Sequence, residues 1–256
     1  MILHYKNYID NDTIITAENY PVNQETDKIK DYHLSSTFTQ VNNYPTLPYL
    51  VFNLNAFRNI KSVVIDRGNL VDTCTCKLYR SNDGITFTYI SDMVMTETVF
   101  YSYCEVNTQY IKIEFIENTG NQANVTIGYV HIGDYITLPG LEPSSELSLT
   151  TTSQSTVSLS GQIYGYVSYD YKSYIFNFPL VSDDNYTYGS RVIANRKAII
   201  NAFNEVKNIN PMYAFLWEAS LNEFPPLFCI FNQSTITFKK KLGSYYSTSI
   251  SLLEVK

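Results

Sequence analysis

Thr73-Cys74-Thr75-Cys76-Lys77-Leu78-Tyr79-Arg80-Ser81-Asn82-Asp83-Gly84-Ile85-Thr86-Phe87 is the stretch that decides the fold class. From Thr73 to Arg80 the residues alternate with a strict period of two, the pattern of a strand with one face turned inward. Ser81-Asn82-Asp83-Gly84 then reads as a turn. Asn and Asp tolerate left-handed backbone, and Gly84 supplies a positive φ. Phe87, Tyr89 and Ile90 resume the alternation on a returning strand.

Working outward, the same signals recur. Upstream, Tyr49 to Leu54 and Ile60 to Asp66 read as two short strands. Downstream, Glu97 to Val106, Gln109 to Ile116 and Val125 to Ile132 do so too, with Asn118-Thr119-Gly120-Asn121 as a turn between the last two. Short strands with turn signals spaced by about 8 to 12 residues indicate a β-sandwich. Residues 1 to 45 are polar and Asn-rich and carry no comparable run. Leu138-Pro139-Gly140-Leu141-Glu142-Pro143-Ser144-Ser145 ends the regular pattern, because proline donates no hydrogen bond to a sheet. A Ser/Thr-dominated stretch, Ser148 to Ser160, follows.

Beyond it, Gln162 to Tyr169 and Lys172 to Phe178 read as strands. Ser190 to Val206 carries apolar residues at 192, 193, 199, 200, 203 and 206, which predicts one amphipathic helix capped by Ser190. Strands are predicted again at Pro226 to Phe231, Ser234 to Phe238 and Tyr245 to Val255, the last with Ser247, Ser249 and Ser251 on a wet face. The expected fold class is therefore mainly β: a sandwich over residues 1–137, a Pro/Ser/Thr-rich connector over 138–156, and a smaller α+β domain with one clear helix over 157–256.

Composition agrees and excludes other classes. Of 256 residues, 45% are hydrophobic but only 16% charged, against about 25% in a typical soluble domain. The 23 Tyr and 14 Phe suit a pleated, half-buried surface and exclude disorder, which needs high charge and few aromatics. Ala, Glu, Lys and Arg are too scarce for a helical bundle. The net charge of −6 and a single basic run, Lys239-Lys240-Lys241, set nucleic-acid binding aside. No stretch approaches the roughly 18 apolar residues of a membrane span, and no secretory signal opens the chain. A protein folded in a cytoplasm, without membrane partners, is expected.

Chemistry-bearing motifs are absent. Cys74 and Cys76 share a strand face, where an ordinary mutual disulfide does not fit, and Cys104 and Cys229 lie in apolar surroundings. All four read as thiols packed like small hydrophobes. His4, His33 and His131 fall in separate segments with no nucleophile elbow, and no phosphate-cradling glycine loop occurs. Asp183-Asp184 reads as a solvated turn. Asp10-Asn11-Asp12 alternates oxygen ligands but lacks the glycine and distal Glu of a calcium loop. The sequons at Asn11, Asn124, Asn185 and Asn232 are expected by chance. The abundant Tyr reads first as packing or subunit contact and second as a ligand platform, and Trp217 as core. No catalytic, cofactor-binding or metal-binding residue is expected, no cofactor and no enzymatic activity.

Leu50-Val51-Phe52-Asn53-Leu54, Ile60 to Asp66 and Lys77 to Phe87, with Thr108 to Phe115 leading into a closing strand, resemble the discoidin, or galactose-binding-like, jelly roll. The resemblance covers residues from about 10 to 137 and implies that fold, but no clear basic or aromatic loop cluster matches the family's binding loops. Ile132-Gly133-Asp134-Tyr135-Ile136-Thr137-Leu138-Pro139 and Ser249 to Val255 resemble phrases in tail and neck proteins of tailed bacteriophages. That resemblance implies a virion structural subunit (minor tail, neck or tail-completion), located in the virion and assembled through other tail or neck proteins or through self-association in a ring. The alternative expectation is a carbohydrate-binding adhesion module that recognises a host surface glycan.

Overall fold

The computed structural model describes residues 1–10, 12–17, 26–30, 38–40, 49–66, 68, 70, 73–117, 125–141, 145–157, 163–189, 191–207, 210–215 and 226–255. They form a mainly β protein, with one α-helix among the described residues, divided into two compact units. One unit comprises Ile2–Tyr135 with Tyr213–Pro226, the other Ile136–Met212 with Leu227–Val255.

The sandwich contains β1 (Ile2–Asn7), β2 (Ile14–Ala17), β3 (Phe38–Gln40), β4 (Tyr49–Asp66), β5 (Cys74–Ser81), β6 (Thr88–Asp92), β7 (Val94–Met95), β8 (Val99–Glu117), β9 (Val125–Ile127) and β10 (Val130–Thr137). Its main sheet runs β1-β10-β4-β8-β5-β6, with β2 added to β4 and β7 to β8, while β3 pairs with β9 in a small second sheet. The short strands expected at 49–54 and 60–66 are one 18-residue strand, and those at 97–106 and 109–116 are one 19-residue strand. The apparent gaps are bulges: the β4–β8 register shifts between Asn53 and Arg58 and again between Ile60 and Ser62. Asn55, at φ 57°, makes the first bend, a conformation that Asn tolerates.

Alternation sets the two faces. Leu50, Phe52 and Leu54 of β4, Cys76 and Leu78 of β5, and Ile111, Ile113 and Phe115 of β8 turn into one core, with Phe52 and Ile111 fully buried. Each such side chain contributes about 1.5–3 kcal/mol on burial. Cys74 and Cys76 do lie on that inner face, and all four cysteines are free thiols. The polar N-terminal region hides a buried strand, since Ile2 and Leu3 are 3% and 1% exposed. Its partner comes from far along the chain: Ile2, Leu3 and His4 pair with Phe215, Ala214 and Tyr213. On its other side β1 lies against β10, where Gly133 permits the close approach, because a methyl group there would run into the Lys6 carbonyl.

The second unit contains β11 (Glu146–Val157), β12 (Ile163–Ser182), β13 (Tyr186–Tyr188), β14 (Arg191–Ile193), α1 (Arg196–Val206), β15 (Met212–Phe215, of which Met212 belongs here), β16 (Leu227–Phe231), β17 (Lys239–Leu242) and β18 (Tyr245–Glu254). Its sheet runs β11-β12-β18-β16 with β17 added to β18. The expected connector over 138–156 is corrected here, because Glu146–Val157 is a strand paired along its length with β12. Its β-branched Thr residues favour extended backbone, and a Ser/Thr strand can occupy a sheet edge.

The helix starts later than its periodicity suggests. Arg191–Ile193 is drawn into a hairpin with Tyr186–Tyr188, and Asn195 caps α1 by accepting from the Ala198 N–H at 2.8 Å. Ser190, the expected cap, lies outside the described residues. Ile199, Ala202 and Val206 form the buried stripe, and Phe203 meets Phe231 edge-on at 5.0 Å. The strand expected over 234–238 does not form. There the Thr237 carbonyl accepts from the Thr248 hydroxyl, and strand pairing begins at Lys239.

A candidate binding face on the sandwich

The outward half of the alternation builds a concave face. Strand order puts β2, β4, β8 and β5 side by side, so registered residues form rows across them. One row is Thr16, Val51, Lys112 and Tyr79; the next is Ile14, Asn53, Tyr110 and Ser81. The turn after β5 adds Gly84, Ile85 and Phe87. Together with Tyr49 and the β2, β4 and β8 members of the two rows, these turn residues line a half-open depression of 470 Å³, within the roughly 300–1,000 Å³ of small-ligand sites.

Lys112 organises the electrostatics. Its Nζ lies 4.3 Å from the Tyr49 ring centroid, 5.4 Å from Tyr79 and 6.0 Å from Phe87. The same Nζ donates to Glu114 Oε1 at 3.0 Å, while Glu114 Oε2 accepts from the Tyr79 hydroxyl at 2.9 Å. Burial, reinforced by the Glu114 carboxylate, pushes the Tyr79 phenol up to about 12. Alternation alone puts Tyr49, Val51 and Asn53 on one side of β4 and Tyr110, Lys112 and Glu114 on one side of β8, but nothing in the sequence joins the two sets.

The Ser81–Thr86 turn is tied down locally. Asp83 Oδ1 accepts from the Ile85 and Thr86 N–H groups at 2.9 Å each and from the Ser81 hydroxyl at 2.7 Å. These bonds, those from Thr86 and Ile85 foremost, hold the Asp83 carboxyl down to about 2. Gly84 takes φ +74°, as the turn reading requires, and a side chain there would meet the Tyr110 ring. Asn53 Oδ1 accepts from Asn55 N and Gln109 Nε2, which leaves its amide Nδ2 as a donor on the face.

The residues singled out in the sequence for chemistry do not gather here. His4 and His131 come together instead inside the sandwich, fully buried, with ring centroids 5.6 Å apart and His4 Nδ1 bonded to Ser62 Oγ at 2.9 Å. Burial pushes His4 well below its usual 6.5, with His131 adding to the effect, and burial takes His131 down to about 3. Asp183 is ion-paired with Arg196 at 2.7 Å. Asp10 accepts from the Thr13 hydroxyl and the Asp12 N–H, and its neighbour Asn11 lies outside the described residues. His33, Trp217, Asn124 and the turn at 118–121 also lie outside them. Among the described residues no group of three or more His, Cys, Asp or Glu side chains gathers to hold a metal, and no helix is long and apolar enough to cross a membrane.

No family model matches the chain, and no curated protein matches it. Solved structures similar to it include a CBM32 domain produced by Clostridium perfringens, 18% identical, covering 50% of this chain and 98% of that one with a TM-score of 0.41. The C-terminal domain of a chitobiase from Bacteroides fragilis is 14% identical, with 50% and 97% coverage and a TM-score of 0.41. The family 32 CBM of NanJ from C. perfringens, solved in complex with galactose, is 15% identical, with 48% and 93% coverage and a TM-score of 0.39. Likenesses of this size leave the function to be argued from the chain's own geometry.

Proposed function

We propose that the protein is a carbohydrate-binding module that recognises a surface glycan through the sandwich face and performs no chemistry on it. The observation that carries this reading is the depression lined by Tyr49, Phe87 and Tyr110 around Lys112. Aromatic rings offer flat apolar surfaces for the C–H face of a sugar ring, and Tyr adds a polar edge. The Asn53 amide, the Thr16 hydroxyl and the Lys112 ammonium supply hydrogen bonds for sugar hydroxyls. Binding without turnover suits the charges present, since Glu114 is already engaged by Lys112 and Tyr79 instead of standing ready as an acid or base. A glycan array probed with wild type and Phe87→Ala tests the reading. Selective retention of a subset of glycans, lost in the variant, is expected. Retention no higher than for a protein without this face would reject it.

A second reading, a virion structural subunit of a tailed phage, draws on a different observation. The β13–β14 hairpin exposes Tyr186, Tyr188 and Val192, of which Tyr188 is 77% and Val192 60% exposed. Apolar and aromatic side chains of this kind suit a subunit contact. Immunogold labelling of purified virions tests it: label at the neck or along the tail supports it, and no label with a competent antibody rejects it.

A further inference from the structure

The second unit carries a groove whose chemistry is unlike that of the sandwich face and shares no residue with it. Lys239 and Lys241 of β17 line a half-open cavity of 360 Å³ together with residues of β12 and β18 and the segment before β17. Apart from Phe178, the remaining lining groups are hydroxyls and one amide, and no carboxylate is among them. This is unusual in a chain with 24 acidic and only 18 basic residues. Among the described residues neither lysine forms an ion pair, so two ammonium groups face the groove uncompensated.

The hydroxyls narrow the class of ligand. Ser249 donates to Asn177 Oδ1 at 2.6 Å and Thr248 donates to the Thr237 carbonyl at 2.9 Å, which leaves their oxygens as acceptors. Thr235 and Ser247 can donate or accept. A ligand matched to this lining presents an oxyanion to the lysines and neutral hydroxyls, themselves donors and acceptors, to the Ser/Thr groups. Nucleic acid matches it poorly, because its phosphates offer acceptors alone and tracking them needs a longer basic stripe.

We propose that this groove binds an anionic saccharide, with Lys239 and Lys241 holding its carboxylate or sulfate and the Ser/Thr hydroxyls reading its ring. The test is calorimetric titration of the full chain with a hyaluronan tetrasaccharide, a chondroitin sulfate tetrasaccharide, neutral chitotetraose, inorganic phosphate and a short single-stranded oligonucleotide. One of the acidic tetrasaccharides is expected to bind at least about tenfold more tightly than chitotetraose. Its affinity should fall as salt rises from about 50 to about 200 mM. Lys239→Gln combined with Lys241→Gln should weaken it at least about tenfold with an unchanged thermal melt. Lys240→Gln, at a residue that does not line the groove, should leave it within about twofold. The carboxylate and sulfate arms distinguish the two sources of negative charge. Equal binding of chitotetraose, tighter binding of phosphate or the oligonucleotide, no binding of either acidic sugar, or an undiminished affinity in the double variant would each overturn the proposal.

Discussion

Lys112 Nζ stands 4.3 Å from the centroid of the Tyr49 ring while donating to Glu114 at 3.0 Å, so one cation is shared between a π face and a carboxylate. Both charged side chains are under one-fifth exposed, which limits solvent screening without removing it. Lys112→Met keeps the stem but removes the charge and leaves Glu114 with the Tyr79 hydroxyl alone. It is expected to lower stability by about 1–2 kcal/mol in urea unfolding. A double-mutant cycle with Glu114→Gln should return a coupling of about 0.5–1 kcal/mol, and zero coupling would show that the pair is incidental.

Tyr79 reports on the same cluster. Its phenol is held up to about 12 by burial first and by the Glu114 acceptor second. Glu114→Gln should therefore bring its titration part of the way back towards 10, since burial remains. Tyrosine labelled at the ring Cζ and followed by NMR, with Tyr79→Phe identifying the resonance, reads this directly. An unmoved titration would assign the whole shift to burial.

The buried histidines make the fold acid-sensitive. Both are neutral when folded, with His131 at about 3 and His4 well below 6.5, whereas the unfolded chain protonates them near 6.5. The unfolded state then binds more protons between about pH 6.5 and 3, so stability is complete above that window and falls as pH drops through it. Each histidine contributes a slope of up to about 1.4 kcal/mol per pH unit. Chemical denaturation across this range should show a shallower slope in His131→Gln, whatever its absolute stability. An identical slope would place the acid response elsewhere.

Gly84 couples the turn to the binding face. A Cβ there would approach the Tyr110 ring to 3.0 Å from a backbone at φ +74°. Gly84→Ala is expected to cost about 1–2 kcal/mol from the left-handed backbone alone. It should also weaken glycan retention by shifting the Tyr110 ring. Thermal melts and the glycan array check the two effects separately.

Alternation made much of the sandwich legible. Leu50, Phe52 and Leu54 read as one face because strand side chains repeat every two residues, and they are buried together. Ser81 to Gly84 read as a turn because its chemistry is local. Bulges were not legible, so β4 and β8 each looked like two strands. Nor was β1: the run Ile2-Leu3 is too short to stand out, and its partner Phe215 lies more than two hundred residues away. The helix start was misread because apolar Val192 and Ile193 fit helical spacing as well as they fit the hairpin. The binding face had no local signature, since Tyr49, Phe87 and Tyr110 come from segments that no motif joins.

Local sequence was enough for the β class, for alternating runs such as Cys74–Ser81, for the turn at Gly84 and for a helix ending at Val206, because period, turn chemistry and composition act over a few residues at a time. Only the tertiary structure decided which outward side chains meet. Hydrogen-bonded strand order places Thr16, Val51, Lys112 and Tyr79 in one row and sets Lys239 beside Ser247. That order rests on long-range pairing and burial of a shared core, which no short stretch of the chain encodes.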